Sequence, residues 1–230
     1  MFESEGSLTA PTLVYLARHG ETLWNVERRF QGHLDSPLTE RGAEQARRLG
    51  QRLAGEPLRA VYSSDLGRTI TTAEQVAAPH GLSVQPHQLL REIDTGDWTR
   101  MDRDAVRDHP TWGPILADYQ ERPWLARLPN GESVGDVQRR GLAFLAEVAP
   151  SYAGQAVAVI AHHVVVEAIL AEALGLSLEG LWLPQRGGNC FVSLLEVSGA
   201  TMVPKVIYDG SHIGELVGLD GTKGDPPGRA

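Results

Sequence analysis

A short apolar segment near the start of the chain is directly followed by three residues suited to a reactive site: Arg18, His19 and Gly20. The segment, Leu13–Ala17, is typical of a strand buried on both faces, and α/β sheets bind ligands at the carboxyl ends of such strands. The forked guanidinium of Arg18 suits a phosphate group, and the missing side chain of Gly20 lets the backbone approach an anion. The neighbouring cation disfavours the protonated form of His19, so a ring nitrogen stays free for nucleophilic attack.

A second histidine, His162, directly follows the most clearly apolar strand of the chain, residues 157–161. Strands and helices alternate along most of the sequence, which predicts a three-layer α/β/α sandwich around a mostly parallel sheet. Because the carboxyl ends of parallel strands share one rim, we expect the two imidazoles to lie on the same side of the sheet.

The other elements follow from apolar spacing and from residues that begin or end helices. Helices are predicted to begin after the N-caps Thr39, Asp65 and Ser133 and to cover 164–174, and Gly81 is predicted to end the second of them. Strands are predicted at 60–63, 83–90, 190–197 and 201–207, the last two as a hairpin.

Residues 93–130 break this alternation with three tryptophans and four prolines. We interpret the stretch as a small cap inserted into a single domain that spans residues 1–230. The two ends, 1–10 and 219–230, are expected to be mobile.

Charge and cysteine content narrow the classes of partner and compartment. With 21 basic and 29 acidic side chains, the net charge of −8 gives no electrostatic support for a nucleic-acid or anionic-membrane partner. A phosphate pocket must therefore be a local cluster of positive charge, and Arg18 and Arg68 are the candidates to form it. Cys190 is the only cysteine, which excludes an intramolecular disulfide, and its apolar neighbours predict a buried side chain. Residues 1–10 lack the pattern of a secretory signal and no apolar run is long enough to span a bilayer, so a cytoplasmic protein is expected.

The sequence resembles the histidine phosphatase superfamily, also called the phosphoglycerate mutase-like family, over roughly residues 13–213. The resemblance rests on several blocks that occur in the family's order, and five such blocks together are far more specific than any one of them. The first block is Arg18–Thr22, which continues through Trp24, Asn25, Arg29, Gln31, Gly32 and the run Asp35–Thr39 with Gly42. The other four are Tyr62–Leu66 with Arg68 and Thr69; Arg91–Ile93 with Gly96 and Trp98; Gly131–Ser133; and Ile160–His162.

The resemblance implies roles for individual residues. His19 would attack phosphorus to give a phosphohistidine, while Arg18, Arg68 and His162 surround the phosphoryl oxygens. Glu92 would protonate the leaving oxygen and then draw a proton from the hydrolytic water, and it must begin protonated, which a partly dry pocket under the cap would favour.

Further substrate contacts are expected from the loop and rim residues Asn25, Gln31, Gly20 and His163. The implied activity is that of a phosphomonoesterase that acts on a small soluble phosphate ester without a metal ion or other cofactor.

The chain departs from the family pattern at two places. His163 stands where the family usually has glycine, which narrows the pocket or adds a substrate contact, and Thr99–Met101 replaces a common Glu-Gly-Leu in the cap. A metal site built on His162 and His163 is disfavoured, because neighbouring side chains at a strand end diverge and no carboxylate spacing completes it.

Three other functions remain open at this stage. Residues 131–135 match the Gly-x-Ser-x-Gly pattern of serine hydrolases, but a turn-like sequence precedes Ser133, which is better explained as a helix cap. A non-catalytic module that binds a phosphorylated ligand and a mutase that moves phosphate between hydroxyls are the other two. The natural substrate and the oligomeric state, a homodimer included, are not fixed by the sequence.

Overall fold

The computed structural model describes residues 10–178 and 187–216, which contain a six-stranded sheet flanked by helices. The strands are β1 (Thr12–Arg18), β2 (Leu58–Ser63), β3 (Val84–Pro86), β4 (Ala156–Ala161), β5 (Val192–Ser198) and β6 (Thr201–Asp209). Their order is β3-β2-β4-β1-β5-β6; the first four are parallel, and β5 and β6 form an antiparallel hairpin at one edge. The predicted mixed α/β fold with a mostly parallel sheet is therefore confirmed, as is the hairpin.

Seven α-helices are present in the described residues. They are α1 (Leu23–Val26), α2 (Glu40–Leu53), α3 (Gly67–Ala77), α4 (Arg103–Asp108), α5 (Trp112–Glu121), α6 (Val134–Val148) and α7 (His163–Ala173). Short 3-10 turns cover 78–80, 88–90, 96–98, 149–152 and 214–216. No helix within the described part of the chain has both the length and the apolarity needed to cross a membrane.

Two apolar cores lie on opposite faces of the sheet because side chains alternate along each strand. In β1, Val14 and Leu16 pack on the face covered by α6 and α7, while Tyr15 and Ala17 pack on the face covered by α2 and α3. Both faces of β1 are therefore buried, as its continuous apolar sequence predicts.

Two of the three predicted N-caps are present. The Thr39 hydroxyl accepts the amide of Gly42 at the start of α2, and Ser133 forms a capping box with Asp136 at the start of α6. The prediction for Asp65 was wrong: Leu66 precedes α3 without a side-chain cap, and the carboxylate of Asp65 accepts two hydrogen bonds from the Arg91 guanidinium instead.

The strand predicted at 83–90 is shorter than expected. It ends at Pro86, and the chain then enters a 3-10 turn at Gln88–Leu90, in which the amide of Leu89 donates to Nδ1 of His87. The ladder to β2 continues one residue past Pro86, because the amide of His87 donates to the Ser63 carbonyl at 2.7 Å, and the 3-10 turn follows directly. Gly81 adopts a left-handed conformation with φ 64°, but it follows a 3-10 turn that comes after α3 rather than α3 itself.

The segment 93–130 contains α4 and α5 and packs on the α6–α7 side of the sheet. Trp98, Val106, Leu116 and Leu128 are all buried in that core. Gly96 is required at the start of the segment, because it has φ +50° and a Cβ there would overlap the carbonyl oxygen of Pro129. The ends expected to be mobile, 1–10 and 219–230, lie outside the described residues except for Ala10.

Candidate active site

The two predicted site histidines meet at the carboxyl-terminal rim of the sheet. His19 follows β1 and His162 follows β4, and these strands are parallel neighbours with Arg18 opposite Ala161. The amide of His19 donates to the Ala161 carbonyl at 3.1 Å, which continues the ladder to the rim. The ring centroids are 5.2 Å apart at an angle of 64°, so the two side chains contact edge to face.

The ring of His19 is fixed with one nitrogen available. Its Nδ1 lies 2.7 Å from the carbonyl oxygen of Gly20, which can only accept, so Nδ1 carries the hydrogen and Nε2 keeps its lone pair. The buried side chain of Asn189 donates to the His19 carbonyl at 2.8 Å and holds the backbone from the β5 side.

Burial is the largest cause that lowers the pKa of His19 well below its usual value, and the guanidinium groups of Arg68 and Arg18 lower it further. The sequence predicted that a neighbouring cation would lower the pKa of His19, but it did not predict the larger lowering by burial. At neutral pH the imidazole is therefore uncharged and nucleophilic.

His162 is fully buried behind His19 and does not line the cavity. Neither of its ring nitrogens has a hydrogen-bond partner within the described residues. Burial, followed by the charge of Arg68, lowers its pKa well below the usual value. Buried polar atoms are almost always paired, so packing alone does not explain this ring.

Arg68 is held rigidly at the start of α3, with only 1% of its side chain exposed. Its Nη1 donates to the carbonyl of Leu34 at 2.7 Å and to Oδ1 of Asp35 at 3.0 Å, and its Nη2 donates to the carbonyl of Gly32 at 2.9 Å. The same Asp35 carboxylate accepts the amides of Gly67 and Arg68, so a residue from a separate loop satisfies the first amides of α3 in place of Asp65. The Nε of Arg68 is buried without a partner within the described residues, so its N–H is available to an anion.

Glu92 lies between the 88–90 turn and the cap segment, at the wall of the same cavity. Its Oε1 accepts the amide of Ile93 at 2.9 Å and the amide of Val164, in the first turn of α7, at 3.2 Å. Because amides only donate, Oε1 stays an acceptor and a proton on this carboxyl group would be carried by Oε2.

The cavity in front of His19 has a volume of about 80 Å³, which is room for several water molecules. The predicted residues that line it are Arg18, His19, Asn25, Gln31, Arg68, Glu92 and His163. In Asn25 the side-chain oxygen is used by the amide and hydroxyl of Thr22, so its NH₂ group is the one left to donate. The Oε1 of Gln31 is buried without a partner in the described part of the chain.

Gly20 does not line the cavity, so the reason given for it from the sequence needs correction. Its amide donates to the hydroxyl of Thr72 at 3.1 Å rather than facing the cavity. A Cβ at Gly20 would overlap the carbonyl oxygen of Gly42, so glycine is needed here to let the rim pack against α2.

His163, at the first position of α7, places its ring at the cavity wall with 17% of the side chain exposed. Its Nδ1 is 3.8 Å from Oε1 of the buried Glu167, one turn further along the helix. The ring therefore takes up space at the cavity wall that a smaller side chain would leave open.

Arg103 is a cavity residue that the sequence did not distinguish from other cap arginines. It projects from α4 with its guanidinium carbon 4.9 Å from the ring centroid of Phe30, and it forms no hydrogen bond or ion pair within the described residues. By contrast, Arg122 and Arg127 are engaged with Asp118 and Asp136. Only the structure could reveal which cap cation faces the cavity.

Ser133 and Cys190 are both outside the cavity. The Ser133 hydroxyl donates to Oδ2 of Asp136 at 2.8 Å and accepts the Asp136 amide, which is the geometry of a helix cap rather than of a nucleophile. Cys190 is fully buried, and burial raises the pKa of its thiol. The described ranges contain no group of three or more His, Cys, Asp or Glu side chains that could hold a metal ion.

Known proteins resemble this chain in both sequence and fold. YhfR of Bacillus stearothermophilus superposes with a TM-score of 0.83 at 39% identity, covering 88% of this chain and 99% of its own. Mycobacterial glucosyl-3-phosphoglycerate phosphatase superposes with a TM-score of 0.76 at 29% identity, covering 85% and 98% of the two chains. The probable phosphoglycerate mutase GpmB of Salmonella arizonae is 34% identical over 186 residues, which are 80% of this chain and 84% of that protein.

A sequence profile of the histidine phosphatase superfamily (branch 1) matches residues 14–209, a range that contains every site residue described above. The paired imidazoles, the buried arginine and the cavity carboxyl group all lie within this match. The chain therefore belongs to the histidine phosphatase superfamily, branch 1.

Proposed function

We propose that the protein is a phosphomonoesterase that hydrolyses a small soluble phosphate ester through a phosphohistidine on His19. The observation that carries the proposal is the state of His19: an uncharged ring, fixed through Nδ1, in contact with His162 at the wall of a cavity that Arg18 and Arg68 also line. Nucleophile, cationic donors and carboxyl group are thus gathered around one small space, which is what phosphoryl transfer requires.

In the first step, Nε2 of His19 attacks phosphorus and the bond between phosphorus and the ester oxygen breaks. The proton on Oε2 of Glu92 passes to the departing oxygen, so the alcohol leaves neutral and Glu92 becomes a carboxylate. The donors of Arg18, Arg68 and His162 stabilise the charge on the three phosphoryl oxygens during transfer. Asn25, Gln31 and His163 are proposed to contact the bound ester.

In the second step, water attacks the phosphohistidine and the bond between phosphorus and Nε2 breaks. The carboxylate of Glu92 takes a proton from that water, which restores the starting acid and releases inorganic phosphate. Because the cationic groups are supplied by arginines, we propose that neither step needs a metal ion. The single buried cysteine is compatible with a reducing compartment, and we propose the cytoplasm.

A mutase is the second candidate, and the curated relatives favour it, since several named probable phosphoglycerate mutase GpmB are 34–38% identical. A mutase keeps the phosphohistidine until a second hydroxyl has moved into place, whereas a hydrolase admits water. The structural relatives named as phosphatases, including the mycobacterial enzyme and a putative α-ribazole-5′-phosphate phosphatase from Escherichia coli, favour hydrolysis.

Steady-state assays separate these functions. The protein would be incubated with p-nitrophenyl phosphate and with a phosphoglycerate, in the presence of a chelator, with and without vanadate. We expect chelator-resistant phosphate release that vanadate inhibits, and a ³²P-labelled phosphohistidine that is lost in His19→Gln. Isomer exchange of the phosphoglycerate without phosphate release would favour the mutase, and turnover of neither ester would favour a binding module.

A further inference from the structure

Arg140, on α6, lies outside the cavity but contacts the backbone of Glu92 and of the turn just before it. Its Nη1 donates to the carbonyl of Leu89 at 2.8 Å, and its Nη2 donates to the carbonyl of Glu92 itself at 3.0 Å. The remaining donors form a forked ion pair with Glu132, Nε to Oε1 at 3.1 Å and Nη2 to Oε2 at 3.0 Å. Planar, bidentate, charge-assisted pairs of this kind fix geometry more firmly than single hydrogen bonds.

Glu132 completes the attachment from the other side. Its Oε2 also accepts the amide of Asp94 at 2.9 Å, and its own amide donates to the Asp94 carbonyl at 3.0 Å. The side chains of Arg140 and Glu132 are 14% and 23% exposed, so solvent screens their attraction only in part. One ion pair therefore binds the backbone at 89, 92 and 94.

The backbone at Glu92 needs such an attachment because no strand or helix contains it. Residue 92 lies between two 3-10 turns, where no ladder of backbone hydrogen bonds sets the position of the chain. The only other side-chain donor to its carbonyl within the described residues is Nε2 of His33, at 2.8 Å. A small shift of this backbone would move Oε1 away from the amides of Ile93 and Val164 and would turn the carboxyl group.

We propose that the Arg140–Glu132 pair is a positioning element that holds the Glu92 carboxyl group in the geometry for proton transfer to the leaving oxygen. The proposal rests on the proposed function of Glu92 as the acid. Neither Arg140 nor Glu132 lines the cavity, so both act through Glu92 rather than on the substrate.

The role of the acid depends on the ester. An alkyl oxygen leaves poorly unless it is protonated, whereas p-nitrophenolate leaves without help. Loss of acid catalysis therefore reduces hydrolysis of an alkyl phosphate far more than hydrolysis of p-nitrophenyl phosphate. The ratio of kcat/KM for the two esters isolates this step, because kcat/KM reports events up to release of the alcohol and excludes the later attack by water.

The experiment measures this ratio for the wild type, Arg140→Gln, Arg140→Lys, Glu132→Gln and Glu92→Gln, with glycerol phosphate as the alkyl ester. Arg139→Gln is the matched control, since Arg139 is the next residue on α6, is 76% exposed and pairs only with Asp136 within the described chain. For Arg140→Gln we expect about a 10²-fold loss on the alkyl ester, the size of effect known for a misplacement of about 1 Å, and a much smaller loss on the aryl ester. Arg140→Lys keeps the positive charge without the bidentate guanidinium, so its kcat/KM ratio should lie between those of the wild type and Arg140→Gln. The ratio for Arg139→Gln should match that of the wild type.

A double variant, Arg140→Gln with Glu92→Gln, provides the second readout. If Arg140 acts through Glu92, the double variant should lose no more on the alkyl ester than Glu92→Gln alone. Equal losses of kcat/KM on both esters, or additive losses in the double variant, would overturn the proposal. Arg140 also lowers the pKa of His162, and an effect through His162 would reduce kcat/KM for both esters alike. If the wild type hydrolyses neither ester, or if Glu92→Gln shows no preference, the proposed function fails instead. Should Arg140→Gln not fold, the ratios for Arg140→Lys and Glu132→Gln decide the question.

Discussion

Acid should destabilise the folded protein through the two buried imidazoles, His19 and His162. Burial is the main cause that lowers both pKa values well below 6.5, the usual value, so both rings stay neutral in the folded state and become protonated in the unfolded chain. The unfolded state therefore binds more protons below pH 6.5, and the free energy of unfolding falls as pH decreases. Between pH 7.5 and pH 5.5 the linkage relation gives a loss of roughly 1 kcal/mol for each ring, and of roughly 2 to 3 kcal/mol for the pair.

Chemical denaturation at pH 7.5, 6.5 and 5.5 would measure this loss for the wild type, His19→Gln, His162→Gln and the double variant. Other groups that titrate in this range contribute to all four proteins, so the quantity of interest is the difference in pH dependence between them. We expect each single variant to lose roughly 1 kcal/mol less than the wild type over this range, and the double variant roughly 2 to 3 kcal/mol less. A difference that is absent, or that grows as pH rises, would refute the assignment of neutral buried rings and with it the argument for a neutral nucleophile.

Three further substitutions test other parts of the site. Asp35→Ala removes both the carboxylate that caps α3 and the charged partner of Arg68. We expect the free energy of unfolding to fall by about 1–2 kcal/mol, the melting temperature in calorimetry to fall by several degrees, and kcat/KM to be reduced. An unchanged kcat/KM would mean that Arg68 does not need this anchor. Arg103→Ala should raise KM for esters that carry a second anionic group, such as a carboxylate, and leave KM nearly unchanged for esters whose alkyl group is uncharged. The reason is that the Arg103 guanidinium faces the cavity without an ion-pair partner within the described residues. Equal shifts in KM for both ester classes in steady-state kinetics would contradict this. Ser133→Ala should lower the free energy of unfolding in denaturant by about 1 kcal/mol through loss of the α6 cap, and the proposed phosphatase activity should be retained. Loss of activity in a folded variant would instead support the serine hydrolase interpretation.

The sheet and its functional rim were predictable because their signals are local. A continuous apolar run predicts a strand buried on both faces, and β1 and β4 are each followed directly by a histidine, which is enough to place the two rings at one edge. The caps at Thr39 and Ser133 were equally readable, because the capping residue and the amide it accepts are three residues apart.

What the sequence did not reveal depends on contacts between distant residues. Asp65 is a good N-cap by its type and place, yet Arg91 engages it and Asp35, from a separate loop, caps α3 instead. The pairing of Arg140 with Glu132 and the backbone near Glu92 likewise joins segments up to 51 residues apart. Charged residues in one sequence offer many such pairings, and only the packed chain selects among them.

The order of the strands has a consequence for the nascent chain. β1 is synthesised first, but both of its neighbours, β4 and β5, come from the last third of the sequence. At a ribosomal rate of roughly 5–20 residues per second, β1 waits on the order of 10–40 s with both edges unsatisfied. Exposed apolar edges invite pairing with other chains, so an incomplete polypeptide is the form most at risk of aggregation and most in need of a chaperone. A chain truncated before β4 would carry Arg18 and His19 but could not assemble a phosphate site around them.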